Sequence, residues 1–239
     1  MKILLIGYGK MGKAIEGVAA KRGHQIVGKI DVDNAQDLRK FNGENVDAAI
    51  EFTHPSSAFA NLTYSLESNI PIVCGTTGWL DQLPELQSLM LAKNGSLCYS
   101  SNYSIGVNLF WAANIKLAQL MNLHEEYDVT MEEIHHVYKK DAPSGTAITT
   151  ADDIVKNLDR KQKWSIDIGK LAQKDLFIDH KRIHNIPGTH TVLYTSGIDS
   201  IQLTHTAFNR EGFATGAVVA AEYICKRKGF FTMKEVLSL

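Results

Sequence analysis

The chain has 239 residues, of which 44% are hydrophobic and 21% charged, and its formal net charge is −1. A chain of this length and composition can bury a core without disulfides or metal ions, which excludes a largely disordered protein. The balanced charge excludes a global positive field that would attract nucleic acid or an anionic membrane, and no stretch predicts a membrane span. The three cysteines form no C-x-x-C pair, so a reducing, cytoplasmic location is expected.

The first thirty residues predict a strand, a glycine-rich turn, a helix and a second strand. Residues 2–6 form a short, mainly apolar run, and the glycine-rich turn follows at Gly7–Gly12. From Met11 to Arg22 the apolar residues recur with helical spacing, and His24 to Ile30 reads as the second strand. This order and length are those of a strand-helix-strand unit with parallel strands.

Three further strands are predicted at residues 46–52, 70–74 and 97–99, separated by helical segments at about 56–68 and 81–93. Alternation of strands and helices predicts a doubly wound parallel sheet with helices on both faces. Ligands of such sheets bind beyond the carboxyl ends of the strands. Small, polar or glycine-rich turns follow these three strands, namely Thr53-His54-Pro55, Gly75-Thr76-Thr77-Gly78 and Ser100-Ser101-Asn102-Tyr103-Ser104.

The second half of the chain predicts a different architecture. Residues 106–122 read as a long helix, alternating apolar residues at 127–131 and 201–206 indicate half-buried strands, and 190–195 is another strand candidate. We expect an α+β domain with a mixed sheet, one face of which pairs with another subunit. The apolar helix at 213–226 is expected to pack back on the first domain. The predicted domains are 1–105 together with 211–239 for the dinucleotide, and 106–210 for substrate binding and oligomerisation.

The glycine-rich turn has the spacing of a dinucleotide-binding motif. Gly7 permits the tight turn, Gly9 lets the backbone approach a pyrophosphate, and Gly12 lets the helix pack close to the strand. Asp31 follows the second strand, about twenty residues beyond the last glycine, where an acid binds the adenosine ribose. The pattern therefore predicts a Rossmann-type domain, and the alternative is a tight turn without a ligand.

The residue after Asp31 decides which nicotinamide cofactor is expected. Val32 cannot pair with a 2′-phosphate, and the Asp31 carboxylate would repel that phosphate, so NADH is predicted to be preferred over NADPH. Lys10, Lys13 or Lys29 could still reach a phosphate, which leaves NADPH possible.

A second motif, at residues 132–147, combines proton donors with an anion-binding turn. His135, His136 and Lys139 precede a Pro-Ser-Gly-Thr turn that opens a helix, and both side-chain types can donate a proton. The Ser144 hydroxyl and the N–H groups of Gly145 and Thr146 would cradle a small carboxylate at the helix N-terminus. The alternative is a serine N-cap beside two surface histidines.

No metal site is predicted. His180, His184 and His190 have a loosely plausible ligand spacing, but no nearby cysteine or acidic residue completes a zinc pattern. Solvated loop histidines are the simpler interpretation.

Taken with Arg210-x-x-Phe213-Ala214-x-Gly216-Ala217, these motifs resemble the 4-hydroxy-tetrahydrodipicolinate reductase family in order and over nearly the whole chain. The resemblance implies a reductase of lysine and diaminopimelate biosynthesis that transfers hydride from NADH or NADPH to a cyclic imine dicarboxylate. It also implies a homotetramer built through the sheet of the second domain.

The resemblance carries residue roles. It implies that His135 and Lys139 are catalytic, and that His136, Lys139, Gly145 and Thr146 lie in the substrate site, to which the predicted anion cradle adds Ser144. It implies cofactor contacts by Gly7, Tyr8, Gly9, Lys10, Met11, Gly12, Asp31, Gly75, Thr76, Thr77, Ser100, Ser101, Asn102 and Tyr103. Two departures are the Val32 noted above, where arginine is frequent in the family, and a short segment between Asp31 and Val46.

Two other functions fit the first domain. One is another two-domain NAD-dependent dehydrogenase of the amino-acid type, and the other is a dinucleotide-sensing protein without catalysis. The residues 132–147 favour the reductase over both, because a protein without catalysis has no need of the proton-donor cluster.

Overall fold

The structure is a computed structural model that describes residues 1–239. The chain folds into two compact units, Met1–Ile105 together with Arg210–Leu239, and Gly106–Asn209. No helix in the structure has both the length and the apolar character that crossing a bilayer requires.

The secondary structure alternates between strands and helices in the first half and becomes strand-rich in the second. The strands are β1 (Lys2–Ile6), β2 (Gln25–Ile30), β3 (Ala48–Glu51), β4 (Ile72–Cys74), β5 (Ser96–Tyr99), β6 (Asp128–His135), β7 (Lys163–Ser165), β8 (Asp175–Arg182), β9 (Gly188–Thr195), β10 (Ser200–Ala207) and β11 (Gly229–Phe231). The helices are α1 (Lys10–Lys21), α2 (Pro55–Glu67), α3 (Leu83–Ala92), α4 (Ile105–Met121), α5 (Gly145–Asn157), α6 (Glu211–Ile224) and α7 (Met233–Leu237). Short 3-10 segments lie at Val32–Lys40, Leu80–Gln82 and Ile168–Lys170.

The first unit is built on a six-stranded sheet with the strand order β11-β5-β4-β3-β1-β2, and every neighbouring pair is parallel. Helices cover both faces, because the core residues of α1 and α6 lie in one hydrophobic cluster and those of α2 and α3 in another. The central strands β1, β3 and β4 are almost wholly buried, as expected of a covered parallel sheet. The predicted doubly wound sheet is confirmed.

The order of the strands reverses at β1. The chain moves from β1 to its neighbour β2 and then returns to place β3 on the other side of β1. Such a switch point opens a crevice at the carboxyl ends of the strands, and the glycine-rich turn begins there at Gly7.

The second unit contains a five-stranded mixed sheet with the order β10-β9-β6-β8-β7. The pairs β6–β9 and β9–β10 are antiparallel, whereas β6–β8 and β7–β8 are parallel. Residues of α4 and α5 share one hydrophobic cluster with the inward-facing residues of β6, β8 and β9. The opposite face carries Thr130, Glu132, Phe177, Thr191 and Gln202, and the helices of this unit leave it uncovered. The predicted mixed sheet is confirmed.

Several elements of the fold were not predicted from the sequence. In β8 the only fully buried apolar residues are Leu176 and Ile178, which stand among charged residues, so the apolar signal of a strand is weak. The strands β7 and β11 have three residues each, too few to show any periodicity. Residues 32–40, the segment that is short for the family, form a 3-10 stretch.

Candidate active site

Three glycines shape the turn between β1 and α1, and they do so for different reasons. Gly7 has φ of +94°, and a Cβ there would lie 1.9 Å from the Phe52 carbonyl oxygen. A Cβ on Gly12 would lie 2.3 Å from the Gly7 oxygen, so both positions are required by packing. At Gly9, the N-cap of α1, a Cβ would meet no atom within 4 Å. The open space at Gly9, beside a helix N-terminus, fits an approaching pyrophosphate.

Two adjoining clefts follow the carboxyl ends of these strands. One, of about 400 Å³, is lined by the first two glycines of the turn, by Asp31 and Val32, and by Thr53 and His54. The other, of about 450 Å³, is lined by Gly9, Lys10, Met11, Thr76 and Thr77, among others. Predicted cofactor residues from the glycine-rich turn, from the end of β2 and from the turn after β4 therefore line these clefts, whereas Tyr8, Gly12 and the predicted residues after β5 line neither. The two clefts fit the two halves of a dinucleotide.

Asp31 lies in the first cleft and also caps the segment that follows. Its Oδ1 accepts the Val32 N–H at 2.9 Å, and its own N–H donates to Asn34 Oδ1 at 2.7 Å. Val32 is 88% exposed and uncharged, so it offers the Asp31 carboxylate no positive partner.

Lys29 has a partner of its own. Its Nζ lies 2.7 Å from Glu16 Oε1 and 4.7 Å from the centroid of the Tyr8 ring, and the Tyr8 hydroxyl donates to Glu16. The hydrogen bond with Glu16 raises the pKa of Lys29, and the same contact lowers the pKa of Glu16. Of the three lysines that kept NADPH possible, Lys29 is thus already paired with a carboxylate.

Some predicted cofactor residues turn their side chains away from the clefts. Thr76 is buried and its Oγ1 donates to Glu51 Oε1 at 3.0 Å, while the Tyr103 hydroxyl lies 2.9 Å from the Cys74 carbonyl oxygen. These side chains hold strand ends together, so only the backbone of either residue can face a cofactor. Ser100 donates from Oγ to the Asn102 carbonyl at 2.8 Å and stabilises the turn after β5.

The remaining members of the predicted cofactor set differ in exposure. A Cβ on Gly75 would lie 2.1 Å from the Phe52 ring, so packing explains this glycine. Thr77 and Ser101 are exposed at the ends of β4 and β5, where a ligand of this edge can reach their side chains.

In the second unit, β6 ends at His135 with the imidazole facing inward. The side chain is 9% exposed, and its Nδ1 lies 3.6 Å from Glu133 Oε2. Gly188 makes room for the ring, since a Cβ there would lie 3.0 Å from His135 Nε2. Burial lowers the pKa of His135, and the charges of Lys139 and Arg182 lower it further, whereas Glu133 acts in the opposite direction.

Glu133 is fully buried, yet it has charged and polar partners. The Ser144 N–H donates to Oε2 at 3.0 Å, and both terminal nitrogens of Arg182 lie 3.2 Å from Oε1. Burial raises the pKa of Glu133, but the Ser144 hydrogen bonds and the nearby histidines outweigh burial and bring the pKa below its ordinary value.

Lys139 lies in the loop after β6, beyond His136. Its Nζ lies 2.9 Å from Asp141 Oδ1 and 2.7 Å from Oδ2. The hydrogen bonds from Lys139 lower the pKa of Asp141. The ammonium group is therefore held by a carboxylate that is 59% exposed.

The predicted anion cradle is the N-terminus of α5. Ser144 is its N-cap and is almost fully buried, with Oγ accepting the Ala147 N–H at 3.2 Å. Its hydroxyl thus has the capping role that the sequence left open. A Cβ on Gly145 would meet nothing within 4 Å, and Gly145 and Thr146 form the first turn, where backbone N–H groups point out of a helix.

His190 completes the cluster around His135. The two rings make an edge contact with centroids 5.1 Å apart, and burial lowers the pKa of His190 to about 3. Ligand-type atoms of Glu133, His135 and His190 all lie within 4.8 Å of one another. Of the three histidines with metal-like spacing, only His190 belongs to this group. The guanidinium of Arg182 already balances the negative charge of Glu133. Ionic contacts between side chains therefore hold this group together.

Sequence reasoning missed Glu133, Arg182 and His190 as parts of this site. Strand pairing places Arg182 opposite His135 and His190 opposite Glu133. The sequence did contain a signal for Glu133, because Glu133 and His135 are two residues apart and such residues share one face of a strand. Arg182 and His190 come from distant strands, and only the register of the sheet reveals them.

Comparisons with known proteins agree with this architecture. The family model described as dihydrodipicolinate reductase, N-terminus, matches residues 1–103, and its C-terminal counterpart matches residues 106–237. A 4-hydroxy-tetrahydrodipicolinate reductase of Christiangramia forsetii is 47% identical over 100% of this chain and 98% of its own length. One from Methanococcus aeolicus is 31% identical over 95% of this chain and 94% of its own length.

Solved structures show the same fold at lower identity. A dipicolinate-bound dihydrodipicolinate reductase from Paenisporosarcina sp. TG-14 has a TM-score of 0.77 at 23% identity and covers 97% of both chains. An engineered D-amino acid dehydrogenase bound to NADP⁺ has a TM-score of 0.53 at 15% identity, covering 98% of this chain and 93% of its own, which shows a shared fold alone. The two family models and the curated relatives thus distinguish the reductase from the amino-acid dehydrogenases. The chain belongs to the dihydrodipicolinate reductase family, the 4-hydroxy-tetrahydrodipicolinate reductases, which are NAD(P)H-dependent oxidoreductases of lysine and diaminopimelate biosynthesis.

Proposed function

We propose that the chain reduces 4-hydroxy-tetrahydrodipicolinate to tetrahydrodipicolinate, with NADH as the preferred cofactor and with His135 and Lys139 as the catalytic residues. The observation that carries the proposal is the placement of His135, Lys139 and the α5 N-terminus around one buried ionic network. A proton donor, an ammonium group and a helix N-terminus are the groups that a dianionic substrate requires.

The overall reaction sets what these residues must do. The 4-hydroxyl group leaves as water, and the conjugated cyclic imine that remains takes up one hydride and one proton. The nicotinamide cofactor supplies the hydride when bound. The protein must hold two carboxylates and deliver the proton to the ring.

In this proposal His135 delivers the proton and Lys139 binds a substrate carboxylate beside it. Lys139 exchanges its present partner Asp141 for that carboxylate, which places the new negative charge near His135. A nearby negative charge favours the imidazolium form and so offsets the burial that lowers the pKa of His135. The N–H groups of Gly145 and Thr146, together with His136, bind the second carboxylate.

The cofactor proposal rests on the first unit. Backbone N–H groups of the Gly7–Gly12 turn bind the pyrophosphate, Asp31 binds the ribose, and the turns after β4 and β5 bind the nicotinamide half. NADH is preferred because the Asp31 carboxylate repels a 2′-phosphate and Val32 offers no positive charge. The engagement of Lys29 with Glu16 and Tyr8 supports the same preference.

The uncovered face of the mixed sheet supports a further part of the proposal, a homotetramer that assembles through this face. The face combines the apolar Phe177 and Leu193 with threonines and with the charged Glu132 and Asp179. Such a mixture of apolar and polar side chains is found in protein–protein interfaces, where an apolar centre is surrounded by a polar rim.

Variants of the two proposed catalytic residues test the site, with a neighbouring lysine as the matched control. His135→Gln and Lys139→Ala are expected to lower kcat by about 100-fold, as loss of a positioned acid does. Lys140→Ala removes an exposed charge from the same loop and is expected to keep wild-type turnover. The dissociation constant for NADH is expected to stay unchanged in all three. Wild-type turnover in both His135→Gln and Lys139→Ala would overturn the assignment.

A further inference from the structure

Glu133 is a buried charge that joins three separate segments of the second unit. Its carboxylate accepts the Ser144 N–H at the start of α5 and the guanidinium of Arg182 on β8. Arg182 in turn donates to the Asp141 carbonyl oxygen at 2.6 Å and to that of Lys139 at 3.4 Å. One carboxylate thus connects the helix N-terminus, the loop that carries Lys139, and the strand that ends at His135.

The same carboxylate also faces the proposed proton donor. Glu133 Oε2 lies 3.6 Å from His135 Nδ1, and neither group is exposed enough for water to screen the interaction. At such a separation in a buried site, a negative charge stabilises the imidazolium form strongly. No hydrogen bond joins the two groups, so the interaction is chiefly one of charge.

We propose that Glu133 is a positioning residue for the reduction, a role that rests on the function proposed above. Through Ser144 and Arg182 it fixes the carboxylate-binding helix and the Lys139 loop relative to His135. Through its charge it keeps the His135 proton available for transfer. Arg182 holds the Lys139 loop through its contacts with the backbone. Its positive charge acts on His135 in the direction opposite to that of Glu133.

Every charged or titratable group around His135 has a defined effect in this arrangement. Glu133 on β6 and Asp141 in the following loop favour the imidazolium form, whereas Arg182 on β8 and Lys139 oppose it. His190 on β9 stays neutral over the ordinary pH range, because burial lowers its pKa to about 3. Loss of Glu133 and loss of Arg182 are therefore expected to move the pKa of His135 in opposite directions.

The test is the pH profile of kcat at saturating substrate and NADH for Glu133→Gln and Arg182→Gln. A proton donor must be protonated, so kcat is lost as pH rises through the pKa of His135. Glu133→Gln removes the favouring charge, and its alkaline limb is expected to move down by about one pH unit, with kcat lowered about tenfold or more. Arg182→Gln is expected to move the same limb up, and the KM for NADH is expected to stay unchanged in both.

Glu126→Gln is the control, because Glu126 is an exposed carboxylate shortly before β6 that pairs with His124 and has no part in the proposed sites. Its profile is expected to match that of the wild type. A Glu133→Gln enzyme that melts at the wild-type temperature and keeps the wild-type limb would overturn the proposal. If Glu133→Gln fails to fold, the kcat–pH profile of Arg182→Gln is the test. An alkaline limb of Arg182→Gln that stays at the wild-type pH, or moves to lower pH, overturns the proposal.

Failure of the underlying function gives a different result. A wild-type enzyme without reductase activity would refute the proposed reaction. A His135→Gln variant with full activity would refute the assignment of His135 as the proton donor. In a third outcome, the wild type and His135→Gln both behave as proposed while the alkaline limb of the kcat–pH profile stays unmoved in Glu133→Gln. That result would refute only the proposed role of Glu133.

Discussion

Gly9 is the position where the structure best separates cofactor binding from folding. A Cβ there would meet no protein atom within 4 Å, and its φ of −77° is one that alanine also adopts. Gly9→Ala is therefore expected to leave the free energy of unfolding within about 0.5 kcal/mol of the wild type. The packing of this chain alone gives no reason for glycine here.

The cost of the added methyl group is expected to appear when NADH binds. The methyl group would occupy the space through which the pyrophosphate approaches the backbone. Losing one hydrogen bond to a charged group costs about 1.5–3 kcal/mol. That range corresponds to a dissociation constant raised about 10- to 150-fold.

Gly7→Ala is the comparison within the same turn. Its Cβ would lie 1.9 Å from the Phe52 carbonyl oxygen, and its φ of +94° disfavours alanine. This variant is expected to melt well below the wild type, because backbone would have to move. NADH fluorescence titration and thermal melts measure the two effects separately. A Gly9→Ala protein with NADH affinity within twofold of the wild type, or one that melts as early as Gly7→Ala, would refute the reasoning.

Three further predictions concern substrate binding, cofactor choice and assembly. Gly145→Ala is expected to raise the KM for the substrate by about tenfold without lowering the melting temperature, since its Cβ would meet nothing in the protein; an unchanged KM would contradict the predicted cradle. Val32→Arg is expected to raise the ratio of kcat/KM for NADPH to kcat/KM for NADH by about tenfold, because arginine can pair with the 2′-phosphate. Glu16→Gln is expected to raise the same ratio by less, because the loss of the Glu16 carboxylate frees Lys29. Unchanged ratios in both variants would contradict the proposed basis of NADH preference. Light scattering is expected to give four times the chain mass of 26.5 kDa, and an added charge at Leu193, on the uncovered face, is expected to lower that mass; a wild-type monomer would contradict the proposed assembly.

The first sheet could be predicted from the sequence because its strands carry their own signal. Strands such as β1 and β4 are apolar on both faces and end in glycine or polar turns, which marks their position without knowledge of their neighbours. By contrast, β8 has only Leu176 and Ile178 as fully buried apolar residues. It becomes a strand because β6 and β7 pair with it, and pairing over such distances has no local signal.

The same distinction applies to the candidate site. His135 and Lys139 lie in one short motif, and the helix after Ser144 follows from capping chemistry, so local sequence was enough to single them out. Arg182 and His190 reach the site through the register of the sheet. The inward orientation of Thr76 and Tyr103 depends on Glu51 and on the strand carbonyls they contact, which the sequence alone does not bring together.

The central claim is the reduction itself, and the most direct measurement is the stoichiometry of NADH oxidation with the substrate generated in place by its synthase from pyruvate and aspartate semialdehyde. Absorbance follows NADH, and the synthase is omitted in a parallel reaction. The account predicts one NADH oxidised for each aspartate semialdehyde condensed, and no oxidation without the synthase. No oxidation by a protein that binds NADH, or oxidation that proceeds equally without the synthase, would contradict it.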